Sequence, residues 1–356
     1  MSAAPAAGGP VYVVDRIPED AVNLSTNEVP FGPLPGVVEA IAEAAHGAHR
    51  YPDMAAGDLR AALAARYGVP VEHLVTGGGT AALIEHTVRA TALGGEVVHP
   101  WRSFEAYPVL IEAGGARPVP VPTRPDHGHD LDATLAAITP DTGLVLLCHP
   151  NNPTGVPLTR AELTGFLDAV PERVVVAVDE AYREFVTDPE VPDALVEHGH
   201  RPNVLVLRTL SKAWGLAGVR IGFLAAHPDL ADRIRRVVTP FSTGALAQAA
   251  ALAALRAEPE MRRRITELAA ERERLAKTLG ELVPGIPRSQ ANCLWLPVGE
   301  RAAELAAACA ARAVIVRPFA AEGVRVTIGA REANDALLDA LVPVLTAPER
   351  AQAEPA

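Results

Sequence analysis

Cysteine is scarce in this chain: Cys148, Cys293 and Cys309 stand far apart, with no Cys-x-x-Cys pair among them. So sparse and odd a count excludes a disulfide framework and fits a reducing compartment better than secretion. A secretion signal is missing as well, since Met1–Pro10 is rich in Ala, Pro and Gly without a basic stretch followed by an apolar one. No apolar run approaches the ~18 residues that cross a bilayer. Positive charge is in deficit, the formal net charge being −11, which argues against a nucleic-acid partner. A soluble, cytoplasmic protein with neither membrane nor nucleic acid as its partner is expected.

What remains is ordinary globular composition, 49% hydrophobic and 21% charged, in a chain of 356 residues that is too long for one simple core. Seven short β-rich runs are predicted as strands: Leu74–Thr76, Val97–Pro100, Pro118–Val121, Leu144–Cys148, Val174–Val178, Val204–Leu207 and Ile221–Ala225. Helical stretches at Thr80–Ala92, Leu131–Ile138 and Arg160–Ala169 fall between several of them, the alternation of an α/β domain whose mainly parallel sheet is covered on both faces. From Leu246 to Leu282 the pattern is helical, interrupted near Pro259. A smaller α+β segment follows, with strands at Cys293–Leu296, Val314–Val316 and Val324–Ile328, a helix at Arg301–Arg312 and a last helix from Ala333. A large domain over residues 36–245 and a small one over 246–356 are expected, with residues 1–35 packing on the small domain or on a partner.

Polar clusters stand just beyond four of the predicted strands: Gly77–Thr80, His149–Asn152, Asp179–Tyr182 and Thr209–Lys212. Ligands of open α/β sheets bind along the carboxyl edge, so these clusters are expected to converge. Lys212 follows an apolar strand and sits among hydroxyl residues and glycines, a poor setting for a solvated surface lysine. A desolvated amine loses its proton readily and attacks a carbonyl. Thr209, Ser211 and Arg220 offer donors to a phosphate. Asp179 ends an apolar strand, where it is either a turn residue or the partner of a cationic ring nitrogen. Gly77-Gly78-Gly79-Thr80-Ala81-Ala82 leads from strand to helix, whose first N–H groups suit any phosphate. It also satisfies the dinucleotide pattern G-x-G-x-x-A, with Glu96 near the expected ~20-residue spacing. Glu96 opens the next strand, however, whereas a ribose-binding acid belongs at its end. His127 and His129 lie in a polar loop where solvation is expected rather than a metal, and Cys148 is expected to be an inert buried thiol.

Several longer motifs occur in order: Leu24-Ser25-Thr26-Asn27-Glu28-Val29-Pro30-Phe31-Gly32-Pro33, Arg50-Tyr51-Pro52-Asp53, Asn151-Asn152-Pro153-Thr154-Gly155, Asp179-Glu180-Ala181-Tyr182, Ser211–Arg220 and Gly323–Gly329. Together they resemble the histidinol-phosphate aminotransferase family of fold-type I enzymes, which use pyridoxal 5′-phosphate (PLP). Pro100-Trp101-Arg102-Ser103-Phe104-Glu105-Ala106-Tyr107-Pro108 is most similar to the actinobacterial aromatic (phenylalanine) aminotransferase branch.

The resemblance implies a role for each matching residue. Lys212 binds the cofactor covalently and shuttles the substrate proton. Asp179 pairs with the pyridine nitrogen, Asn152 and Tyr182 hold the phenolic oxygen, and Phe104 stacks on the ring. Thr80, Ala81, Thr209, Ser211 and Arg220 take the phosphate, joined by Tyr51 from the other subunit of a homodimer. Arg325 grips the substrate's anionic group, and Asn27 lines the site. The chain departs from the family at Gly79-Thr80-Ala81-Ala82, where Gly-Ser-Asp-Glu is usual, at His149, which replaces an Asn, and in a short N-terminal arm. Aromatic amino acids with 2-oxoglutarate are the expected substrates, and histidinol phosphate is the alternative donor. A PLP-binding regulator without activity is the remote alternative. The stretch Trp101–Tyr107, with Val29 and Phe31, is expected to supply an apolar wall for a substrate ring.

Overall fold

The computed structural model describes residues 17, 18 and 20–346. Residues 1–16 lie outside the described residues, with the Ala/Pro/Gly-rich opening and most of any N-terminal arm. The chain enters through a two-residue strand β1 (Val22–Asn23). Seven strands then build the central sheet: β2 (Leu74–Gly77), β3 (Glu96–Trp101), β4 (Arg117–Pro122), β5 (Thr142–Cys148), β6 (Val175–Asp179), β7 (Val204–Thr209) and β8 (Gly222–Ala226). Their spatial order is β2-β8-β7-β6-β5-β3-β4. This is the α/β fold expected of the sequence, with each of the seven anticipated runs becoming a strand of one sheet.

Only β8 breaks the parallel arrangement, running antiparallel to both β2 and β7. The five residues of β6 and the six of β7 are all buried. That explains why both read as nearly continuous Val/Leu runs: helices cover both faces, so alternation has no solvent side to record.

The reversal of β8 matters for the site. A connection to an antiparallel neighbour starts and ends at the same sheet edge. Residues 210–221 therefore leave β7 and return to β8 without crossing the sheet. They are closed by Leu210 N–H donating to Ile221 O (3.2 Å) and Leu216 N–H to Leu210 O (3.0 Å). Within that connection Trp214 is fully buried and its indole N–H donates to Glu184 Oε1 (3.2 Å), which pins the segment two residues from Lys212.

Beyond the sheet, the helical stretch divides at Ala257 into Ala245–Arg256 and Glu258–Gly280, with Pro259 in the first turn of the second helix, where its missing N–H costs nothing. A three-stranded antiparallel sheet follows, ordered β11 (Arg317–Phe319), β12 (Gly323–Thr327) and β9 (Cys293–Leu296). The run anticipated at Val314–Val316 is the short β10 (Val314–Ile315), which pairs in parallel with β1. Among the described residues no helix is long and apolar enough to cross a membrane.

Candidate active site

The carboxyl ends of β2, β5, β6 and β7 share one edge, and a cavity of about 550 Å³ opens there. Its walls include Asn27, Thr80, Ala81, Phe104, Asn152, Asp179, Tyr182, Thr209, Ser211, Lys212, Arg220 and Arg325. All but one of the residues to which the family resemblance gives a role at the cofactor or the substrate's anionic group thus meet in one place, although Asn27 and Arg325 are separated by most of the chain. The exception is Tyr51, which is 83% exposed and stacks on Phe241 outside the cavity, with ring centroids 4.6 Å apart.

Strand alternation decides which acidic side chain enters. Asp179 turns into the cavity; its neighbour Glu180 turns to the other face, where buried Arg208 donates to it from Nε (2.9 Å) and pairs through Nη2 (2.6 Å). Asp179 is 3% exposed. Its Oδ2 accepts the Tyr107 hydroxyl proton (3.1 Å), while Oδ1 is buried without a hydrogen-bond partner. Burial raises the Asp179 pKa to about 6, against the opposing pull of the Tyr107 hydroxyl, the Ala181 N–H and the charge of Lys212. A buried carboxylate oxygen without a donor is a costly vacancy unless a ligand fills it.

Lys212 is half-buried, and its Nζ donates to Thr26 O (3.0 Å). Burial, then the nearby Arg325 guanidinium, lower its pKa from the ordinary lysine value to about 8. Both effects disfavour the ammonium form and leave an amine able to attack a carbonyl near neutral pH.

At one end of the cavity the helix Thr80–Thr91 begins at Gly79, whose φ of +89° admits few other residues. The guanidinium of Arg220 lies so close that a Cβ on Gly79 would stand 2.7 Å from its Nη2. Arg220 Nη1 donates to Ala217 O (2.9 Å) and reaches Ser211 Oγ at 3.5 Å. Helix N–H groups, a guanidinium and hydroxyls at one point form an anion cradle.

At the other end Arg325 is buried. Its Nη1 donates to Asn152 Oδ1 (2.7 Å) and its Nη2 to Ser25 O, while Nε has no partner. Asn152 therefore presents its amide N–H groups elsewhere. The Tyr182 hydroxyl accepts from Asn27 Nδ2 (3.0 Å), which leaves its own proton available to a ligand oxygen. Burial pushes the Tyr182 pKa far up, keeping that proton in place.

Two expectations change, the make-up of the substrate wall and the solvation of His129, while Glu96 opens its strand as the sequence reads. Glu96 lies at the amino end of β3, away from the cavity, where it binds Arg117 and accepts from the Thr139 hydroxyl (2.7 Å). It is an anchor at the foot of the sheet, and the dinucleotide pattern has no acid to complete it. Tyr107 is buried beneath Asp179 and offers no surface to a substrate ring. Trp101 lies under the Arg102 guanidinium, 4.3 Å from its ring centroid, outside the cavity, as are Val29 and Phe31. The apolar wall is supplied by Phe104 and Ala106 of the stretch Trp101–Tyr107, joined by Val109 and Leu110. Cys148 does reach the cavity, with a thiol that burial holds protonated. His129 is buried with Nε2 2.7 Å from Cys148 O, and His127 lies edge-on to Trp295.

The chain matches known proteins throughout this framework. It is 50% identical over 334 residues to an aromatic amino acid aminotransferase of Streptomyces avermitilis, covering 94% of this chain and 90% of that one. A protein of the same name from Streptomyces coelicolor is 51% identical over the same span, with equal coverage. Among solved structures, histidinol-phosphate aminotransferase of Sinorhizobium meliloti in complex with pyridoxal 5′-phosphate has a TM-score of 0.83 at 29% identity, covering 91% of this chain and 90% of that one. The family model of class I and II aminotransferases matches residues 19–341. With its fold, its sheet-edge cavity and nearly its whole length accounted for, the chain belongs to the class I and II aminotransferases.

Proposed function

We propose that this chain is a PLP-dependent aminotransferase that takes the amino group of aromatic L-amino acids and passes it to 2-oxoglutarate, giving aromatic 2-oxo acids and L-glutamate. The observation that carries the cofactor is the Asp179 carboxylate, buried with Oδ1 lacking a donor, in the same cavity as a lysine of lowered pKa and an anion cradle. A protonated pyridine nitrogen, a carbonyl and a phosphate fit these three in turn. PLP bound there supplies a ring that accepts the electron pair left when an amino acid loses its α-proton.

The chain's own residues do the rest. Asp179 holds the proton on the ring nitrogen, with Tyr107 fixing its second oxygen. Thr80, Ala81, Thr209, Ser211 and Arg220 anchor the phosphate, and Phe104 packs on the ring face. Asn152 and Tyr182 donate to the phenolic oxygen. Lys212 Nζ, which gives up its proton near pH 8 rather than at the ordinary lysine value, would hold the cofactor and then carry the α-proton from the substrate. Arg325 grips the substrate carboxylate, and Asn27 fixes Tyr182. In a homodimer, exposed Tyr51 would add its hydroxyl to the partner's phosphate cradle.

The aromatic preference is supported by the curated relatives' names and by the wall of Phe104, Ala106, Val109 and Leu110. Burying a phenyl-sized side chain there is worth ~1.5–3 kcal/mol. With Arg220 committed to the cofactor, Arg325 is the guanidinium left in the cavity among the described residues, and Glu28 at its mouth repels a second phosphate. Kinetics with phenylalanine, tyrosine, tryptophan and histidinol phosphate as donors test this. kcat/KM should favour an aromatic donor by about tenfold or more. A preference for histidinol phosphate would overturn the substrate and leave the cofactor chemistry standing.

A further inference from the structure

Phe104 lies between two charged residues, Arg102 and Glu105, and each reaches across to the same distant hairpin. Arg102 donates through Nε to Glu322 Oε2 (3.0 Å) and through Nη2 to Oε1. Glu105 accepts from Arg317 Nε (3.2 Å) and Nη2 (3.1 Å). Both pairs are bidentate, the arrangement that fixes direction as well as distance. Their polarity is crossed: the Phe104 loop offers a cation then an anion, and the hairpin answers with the opposite of each. A shifted register would set like charges together, so one alignment is selected.

The hairpin is β11 and β12, and β12 carries Arg325. Arg317 stands directly opposite Arg325 in the register, so both side chains share one face of that sheet. The clasp therefore ties the loop bearing the apolar wall to the strand bearing the carboxylate-binding guanidinium. Arg102 is held further by the Trp101 ring and by Phe319, whose centroid lies 5.5 Å from the guanidinium carbon.

We propose that Arg102, Glu105, Arg317 and Glu322 are positioning residues that hold the Phe104 wall against the Arg325 strand and so set the cavity's affinity for its amino-acid substrate. This rests on the reading that the cavity binds an aromatic amino acid by its carboxylate and its ring. A site whose binding-competent arrangement is only partly populated binds more weakly by that fraction. The four side chains are between about a fifth and two-fifths exposed, so each pair is screened and its effect is modest.

The test is isothermal titration of the PLP-loaded enzyme with 3-phenylpropionate, an unreactive carboxylate bearing a phenyl ring, in Arg102→Gln, Glu322→Gln and the double variant. Kd should rise about fivefold in all three alike, equivalent to about 1 kcal/mol, because the second substitution removes nothing the first has left. KM for phenylalanine should rise in step while kcat stays within about twofold, as for lost ground-state binding. In the unsubstituted enzyme Kd should weaken from low to high salt, and the double variant should show a shallower dependence, keeping the part due to Arg325 and to the Glu105–Arg317 pair. Unchanged Kd in the variants, or effects that multiply in the double, would overturn the clasp. If the unsubstituted enzyme neither binds 3-phenylpropionate nor turns over phenylalanine, the substrate reading itself has failed.

Discussion

Replacing Asp179 by Asn isolates the electrostatic core of the proposed chemistry with little change in shape. The amide oxygen can still accept the Tyr107 hydroxyl, so the buried contact at 3.1 Å survives. What changes is the other atom. The carboxylate oxygen that has no donor becomes an N–H₂ group, which is itself a donor and repels a proton on the ring nitrogen. Asp179 is 3% exposed, so water cannot replace the missing charge. Losing one preorganised electrostatic partner in such a site typically costs ~3–4 kcal/mol, or ~100- to 1000-fold in rate. Single-turnover reaction with phenylalanine, protiated and deuterated at Cα, reads this step directly. The rate should fall at least ~100-fold with a full isotope effect, while cofactor affinity weakens less. Near-normal turnover with full cofactor occupancy would reduce Asp179 to a residue that ends a strand.

Three further outcomes follow from the same geometry. Tyr107→Phe removes one hydrogen bond to a charged group, worth about 1.5 kcal/mol, so the single-turnover rate should fall about tenfold, less than in Asp179→Asn; an unchanged rate would make Tyr107 mere packing. Because the Lys212 pKa is lowered to about 8, the ammonium dominates below that value and the reactive amine above it; PLP capture by cofactor-free protein, followed by absorbance, should accelerate up to about pH 8 and then level. A rate still climbing at pH 10 would mean an unperturbed lysine. Gly79→Ala places a methyl group 2.7 Å from Arg220 Nη2 on a backbone that disfavours a side chain, and should weaken PLP binding at equilibrium by about tenfold or more.

How much of this the sequence discloses depends on distance along the chain. Asp179, Lys212 and the glycines of the phosphate turn each follow an apolar strand, and local pattern alone places them at the sheet edge. Asn27 and Arg325 came through motif resemblance, since 300 residues separate Asn27 from the Thr327 hydroxyl that fixes it. In the sequence Tyr107 reads only as part of an apolar wall for a substrate ring. Its contact with Asp179 spans 72 residues and three strands, and no periodicity encodes that. The reversal of β8 was equally hidden, because an apolar run looks alike in either direction. Strand ends shift by a residue or two: the fifth run begins at Val175 rather than Val174 and extends through Asp179 itself.

The central claim is that Lys212 carries the cofactor, and the composition makes it unusually direct to test. Lys212 and Lys277 are the chain's two lysines, and Lys277 is exposed near the end of the helix Glu258–Gly280. Borohydride reduction of the PLP-loaded protein, then digestion and mass spectrometry, should place the pyridoxyl group on Lys212 alone at close to one per chain. Recovery on Lys277 or on the terminal amine, with Lys212 unmodified, would contradict the account.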